Sequence, residues 1–262
     1  MTAKLFQSIL FLTLLFAVNS VAQTAQNKPF AAGETLTYEG KFSKIIRGIA
    51  VADLTFTVGN AAEKNDLLIK SEAKSKGSLL KLFRFSFFQQ IDSTVDGEQF
   101  RVLKTVKRDV QKERERNSEA VFDYRQDRVT YVESDPKEPM RPPRKIASEI
   151  ENETHDLISG IYALRLLPLA VGKTFELYIS DSGLLYRIPV RVTAREQQKT
   201  IFGKTWCFRV EPEVFGTNRL IEKEGSLTIW LTDDKRRLPV RAQINSDIGR
   251  IEVKLKTAVG IK

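Results

Sequence analysis

His155, Asp156 and Ser159 bring the three residue types of a serine hydrolase within five positions, and Cys207 is the chain's sole cysteine. Acyl-transfer chemistry needs the base set between nucleophile and orienting carboxylate. On a helix His155 and Ser159 meet at i and i+4, but Asp156 points about 100° away, so the three do not line up. No G-x-S-x-G elbow occurs. Cys207 has only His155 to serve as a base, and neither lies in a cysteine-protease signature. One histidine and one cysteine make no zinc constellation, and no glycine-rich phosphate loop appears. The expectation is a non-enzymatic protein without catalytic residues, metal or cofactor.

Recognition is the remaining chemistry, and two segments carry it. In "HDLISGIYALRLLPLAVGK" (His155 to Lys173), Leu157, Ile158, Ile161, Tyr162 and Leu164 cover one broad arc of a helix. Arg165 falls inside that arc, while Ser159, Gly160 and Ala163 form a small-residue strip. A guanidinium cannot shed its proton, so once buried it needs a carboxylate, carbonyls or an anionic ligand. Three readings stay open: an ion pair with an acid from a neighbouring strand, a pocket facing a ligand head group, or snorkelling to water. Thr154 or Asn152 is the expected cap, Asp156 sits in the first turn, and Pro168 ends the helix.

The second segment is "SLLKLFRFSFFQQI" (Ser78 to Ile91), in which Phe83, Phe85 and Phe87 alternate and Leu80, Leu82 and Phe88 fill the other parity. A strand apolar on both faces lies central in a layered core or walls a greasy cavity. Lys74, Lys76, Lys81 and Arg84 nearby suit anionic lipid. The candidate ligand-contacting residues are therefore Phe83, Phe85, Phe87, Tyr162 and Arg165.

The elements that position these residues are mostly strands. Apolar side chains recur with period two at Leu36, Tyr38 and Phe42, at Leu184 to Val192, at Trp206, Phe208 and Val210, and onward to Ile251, Val253 and Leu255. Strands with one wet and one dry face belong to antiparallel sheets. On this parity Cys207 is a small semi-buried filler opposite Trp206 and Phe208. Four prolines within Pro136 to Pro143 make residues 134–153 an extended connector, either a loop or a hinge between two β halves. The mixed-charge run Gln111 to Glu119 reads as a solvated hairpin.

The beginning of the chain reads as an export signal. Lys4 precedes the apolar stretch Leu5 to Val18, and Ser20-Val21-Ala22 offers small residues to a signal peptidase. That stretch falls short of the roughly 20 residues a membrane span needs. Cleavage near residue 22 leaves a single β-rich domain over 23–262 in the periplasm, and with no nearby cysteine to lipidate, it is not a lipoprotein. The formal charge is +9, or +8 without Lys4. In a cell envelope such a field favours lipid head groups and anionic polymers rather than nucleic acid.

"GETLTYEG", the helix segment, "VTAREQQKTIFGKTWCFRVEP" and "GSLTIWLTDDKRRLPVRAQINSDIGRIEVKL" together resemble the bacterial exported family known as domain of unknown function 3108. The resemblance covers about Phe30 to Leu255. It implies a β-rich fold with a single helix between two β halves, and it brings no catalytic residues. More loosely, a curved antiparallel sheet around a helix is similar to the periplasmic lipoprotein carriers, whose concave face holds acyl chains. The expected fold is thus mainly β, a strongly curved antiparallel sheet or half-barrel with one short helix near 154–167. The expected function is binding of a lipid or other amphipathic ligand in a β-lined cavity. The alternative is a structural or assembly protein contacting envelope proteins or anionic polymers.

Overall fold

The computed structural model describes residues 28–44, 48–63 and 65–262. The expected signal at residues 1–22 lies outside them. The first half of the chain forms β1 (Thr35–Ser43), β2 (Ile49–Asn60), β3 (Leu67–Ser75), helix α1 (Gly77–Phe83), β4 (Phe87–Val95), β5 (Val102–Gln111), β6 (Arg114–Asp123), β7 (Arg128–Ser134) and β8 (Arg144–Glu149). The second half forms β9 (Thr154–His155), helix α2 (Leu157–Leu166), β10 (Thr174–Asp181), β11 (Leu184–Thr200), β12 (Gly203–Pro212), β13 (Gly225–Thr232), β14 (Pro239–Ser246) and β15 (Gly249–Val259). Period-two burial follows the side-chain alternation: in β1, Leu36 and Tyr38 are buried while Thr35, Thr37 and Glu39 keep partial access to water.

The two halves make one sheet, in the order β8-β7-β6-β5-β4-β3-β2-β1-β15-β14-β13-β12-β11-β10-β9. They are joined where β1 pairs antiparallel with β15, from Thr35 opposite Val259 to Ser43 opposite Arg250. The short β9 is the exception to the antiparallel rule and runs parallel to β10.

Chain connectivity forces this sheet to curl. Laid flat, strands about 4.8 Å apart would hold its two edges roughly 65 Å from each other. Yet those edges, β8 and β9, are consecutive in the chain, and a connection from Glu149 to Thr154 reaches at most about 18 Å. The β10–β11 turn accordingly comes up against β7 and β8: a Cβ on Gly183 would lie 2.6 Å from Tyr131 Cβ. The result is a strongly curved half-barrel whose edges are not hydrogen-bonded into a closed ring.

Helix α2 sits inside the curve, buried on its apolar and its small-residue sides alike: Ile158, Ser159, Gly160, Tyr162, Ala163, Leu164 and Arg165 are all buried. At Gly160 the helix lies so close to β10 that a Cβ would stand 2.6 Å from Ile179 Cδ1. The Tyr162 ring meets Phe30 edge-on at 5.0 Å.

Four expectations are corrected. The single helix becomes two, because Ser78 to Ile91 is not one strand: Gly77–Phe83 is helical and the strand resumes at Phe87. Leu79, Leu80, Leu82 and Phe83 carry helical spacing, and Arg84 turns into the left-handed region (φ 50°) to end α1. The connector is shorter than 134–153. Past Pro143 every residue has an N–H to donate, and Arg144–Glu149 pairs with β7 as a charged edge strand. The cap of α2 is Asp156 rather than Thr154 or Asn152, with Ser159 completing a capping box. Trp206 is exposed, whereas Cys207 is wholly buried. The β11–β12 register shifts between Val192 and Ala194, and towards its tip the hairpin outruns the core. The Trp206 ring is covered instead by the Arg195 guanidinium at 4.4 Å.

Candidate functional site

The concave face of the sheet lines an apolar trough with α2 at one end and α1 at the other. The inner part, about 330 Å³, lies between α2 and the sheet, walled by residues such as Leu36, Phe56, Ile161, Ile179 and Ile229. The outer part, about 870 Å³, is walled by Phe42, Ile49, Ile251 and the α1 segment. Leu54, Ile244 and Val253 line both parts, so the two adjoin. Alternation builds the trough. On β1 the even-numbered Leu36 and Tyr38 face the inner part, and Gly40 and Phe42 the outer.

All five sequence-predicted residues border this trough, but in two groups. Phe83, Phe85 and Phe87 lie at the outer part, with Phe83 48% exposed and meeting Phe42 edge-on at 5.4 Å. Tyr162 and Arg165 lie at the inner part. Leu54, Ile244 and Val253, which border both groups, were read in the sequence only as members of alternating strand faces. They occur in ordinary alternating strands, and nothing in period two distinguishes a cavity wall from a packed core.

Arg165 takes the first of its three readings. Its Nη1 donates to Glu34 Oε1 at 2.5 Å and its Nη2 to Glu34 Oε2 at 2.8 Å, with both side chains wholly buried. Nη2 also donates to the carbonyls of Pro29 (2.9 Å) and Arg236 (3.1 Å). The rings of Phe30 and Tyr162 lie 4.9 and 5.1 Å from its Cζ. The charge at the inner end is thus neutralised by the protein itself. Beside it, burial pushes the Tyr38 and Tyr162 phenols well above their ordinary values, so both stay neutral. Glu34 stands within the quoted motif "GETLTYEG", and an acid just before a strand was the signal that could have identified it.

The base of α2 is fixed by a second polar group. Asp156 Oδ1 accepts from the backbone N–H of Ile158 (3.0 Å) and Ser159 (2.7 Å) and from Ser159 Oγ (2.8 Å). Its Oδ2 accepts from Thr105 Oγ1 at 2.6 Å and from Ser93 Oγ, which ties the helix to β5 and β4. Among the described residues the Ser159 hydroxyl bonds only to Asp156, to its side chain and backbone. His155 Nδ1 is buried without a hydrogen-bond partner among the described residues. Base, nucleophile and orienter are not in line. Burial lowers the His155 imidazole to about 4 and pushes the Cys207 thiol up to about 12, so at neutral pH neither is charged. Among the described residues no cluster of His, Cys, Asp and Glu is placed to hold a metal.

No curated protein matches the chain in sequence. Its fold is similar to that of a β-barrel-like protein of domain of unknown function DUF1849 from Brucella abortus, at TM-score 0.59 and 9% identity, covering 88% of this chain and 98% of that one. A protein with YmcC-like fold from Bacteroides fragilis aligns over 88% of this chain and 97% of its own at 12% identity, with a TM-score of only 0.35. At the level of family, residues 35–256 match the protein-family model for DUF3108, a protein of unknown function. That span takes in β1, both helices and the walls of the trough, and the chain belongs to the DUF3108 family.

Proposed function

We propose that the protein is an exported envelope component that binds a lipid or other amphipathic ligand in the trough without transforming it. The observation that carries this reading is the pair of adjoining apolar cavities that share Leu54, Ile244 and Val253 as walls. Packed interiors leave few voids larger than a water molecule. Apolar concavities of about 300–1,000 Å³ are the usual shape of a small-molecule site. Water gains no hydrogen bonds from such walls, so transferring an apolar chain into them is favourable by roughly 0.8 kcal/mol per buried CH₂. Lys4, the apolar stretch after it and Ser20-Val21-Ala22 support export.

The neutral apolar dye N-phenyl-1-naphthylamine tests the reading. Its fluorescence should rise saturably with the wild-type protein. The rise should largely disappear in Ala73→Trp, where an indole occupies the outer part of the trough. Thermal melts should show that this variant still folds. No saturable uptake, or uptake unchanged by the indole, overturns the proposal.

A further inference from the structure

The two ends of the trough differ in charge, and the difference fixes which way a ligand lies. At the inner end the one charge, Arg165, is matched by Glu34 and backbone carbonyls, and the neighbouring phenols are neutral. An ionic head group placed there would lose its water and gain no counter-charge. The outer end is different. Lys44 lines the outer cavity itself. Lys81 and Arg84 are exposed on the α1 segment, and Lys112 Nζ lies 5.8 Å from the Phe85 ring in the cavity wall. Nearby cations elsewhere are already held: Lys76 by Glu39 and Asp53, Arg114 by Asp109. Lys44, Lys81, Arg84 and Lys112 have no such carboxylate among the described residues. Two further acids in the neighbouring turns are engaged elsewhere: Asp247 accepts from the Ile248 N–H, and Glu113 faces Lys137 at 3.8 Å.

Length agrees with charge. From Leu36 at the inner part to Phe42 at the outer, β1 advances six residues, or about 20 Å at strand rise. One leaflet of a bilayer holds its chains in about 15 Å, half of the roughly 30 Å hydrocarbon core. The span of the two adjoining cavities from mouth to helix therefore matches the length of a single long acyl chain.

We infer that the ligand is a long-chain anionic amphiphile held tail-first, its chain running to α2 and its head group at the basic mouth formed by Lys44, Lys81 and Arg84. This inference rests on the proposed binding function and names its substrate class and orientation.

The test compares palmitate, hexadecanol and hexadecylamine as competitors of N-phenyl-1-naphthylamine, on the wild type and on the triple variant Lys44→Glu/Lys81→Glu/Arg84→Glu. The three residues are exposed, and circular dichroism should confirm an unchanged fold. Wild type should bind palmitate most tightly and hexadecylamine least. In the variant, palmitate should weaken on the order of tenfold at low salt while hexadecanol is unaffected. Palmitate binding indifferent to charge reversal, or equal affinity for all three compounds, overturns the orientation and leaves the binding function standing. If none of the three displaces the dye from the wild type, the inference fails, and the binding function is decided by the dye uptake and its loss in Ala73→Trp.

Discussion

Arg165 on α2 and Glu34 at the head of β1 are 131 residues apart in the chain and meet as a two-pronged ion pair with neither side chain exposed. The pair pins the helix to the middle of the sheet, beside the strand at which the two halves join. Removing one partner leaves a buried charge uncompensated. Glu34→Gln should therefore destabilise the fold by ~3–5 kcal/mol in urea unfolding. The double variant Glu34→Gln/Arg165→Met should recover a large part of that loss, because no unpaired guanidinium remains. A double variant no better than the single would show that the pair does not act as a unit.

Five hydrogen bonds end on the Asp156 carboxylate, three from α2 itself and two from Ser93 on β4 and Thr105 on β5. A helix cap alone contributes ~1 kcal/mol. Asp156→Ala also strands the hydroxyls of Ser93 and Thr105, each costing about 1–3 kcal/mol if left unsatisfied. The expected loss exceeds 2 kcal/mol by chemical denaturation, and Asp156→Asn should retain part of it. A loss no larger than a surface cap would show that the ties to Ser93 and Thr105 are idle.

His155 makes stability depend on pH in a definite window. Burial holds its folded-state value at about 4, below the ordinary 6.5. Between those values the unfolded chain binds a proton that the folded chain refuses. Stability is full above about pH 6.5 and falls as pH drops towards 4, by ~3 kcal/mol over that gap. Glu39, held at about 2 by hydrogen bonds from Lys76 and Lys256, adds its own loss only below about 4.5. Melting temperatures recorded from pH 7 to 4 should fall in the wild type and flatten in His155→Leu; parallel curves would contradict the assignment.

Close contact at Gly160 sets a size limit. Alanine gains ~0.5–1 kcal/mol of helix propensity, and the atom in its way is the flexible tip of Ile179, so Gly160→Ala should stay near wild-type stability. Leucine must lift α2 off β10, and Gly160→Leu should lose ~1–3 kcal/mol in thermal melts.

Much of this architecture was legible in the sequence because period two is a local signal. The strands, the helix after His155 and the charge needing a partner inside it could all be read from residue spacing. The partner could not, since Glu34 reaches Arg165 only through the fold. Helix α1 was hidden because Phe83, Phe85 and Phe87 satisfy the strand period while Leu79, Leu80, Leu82 and Phe83 satisfy the helical one. Tertiary context decided between them. β8 was masked by the prolines just before it, and Trp206 by a register shift that no single strand displays. The trough is invisible to periodicity altogether, because Leu54 would alternate in the same way against a packed core.

Native mass spectrometry of the protein purified without detergent tests the central claim most directly. A folded protein carrying a single amphiphile of long-chain mass, released by organic extraction and reduced in Ala73→Trp, is the predicted result. A wild type that shows only its own mass, and takes up no added palmitate, would contradict it.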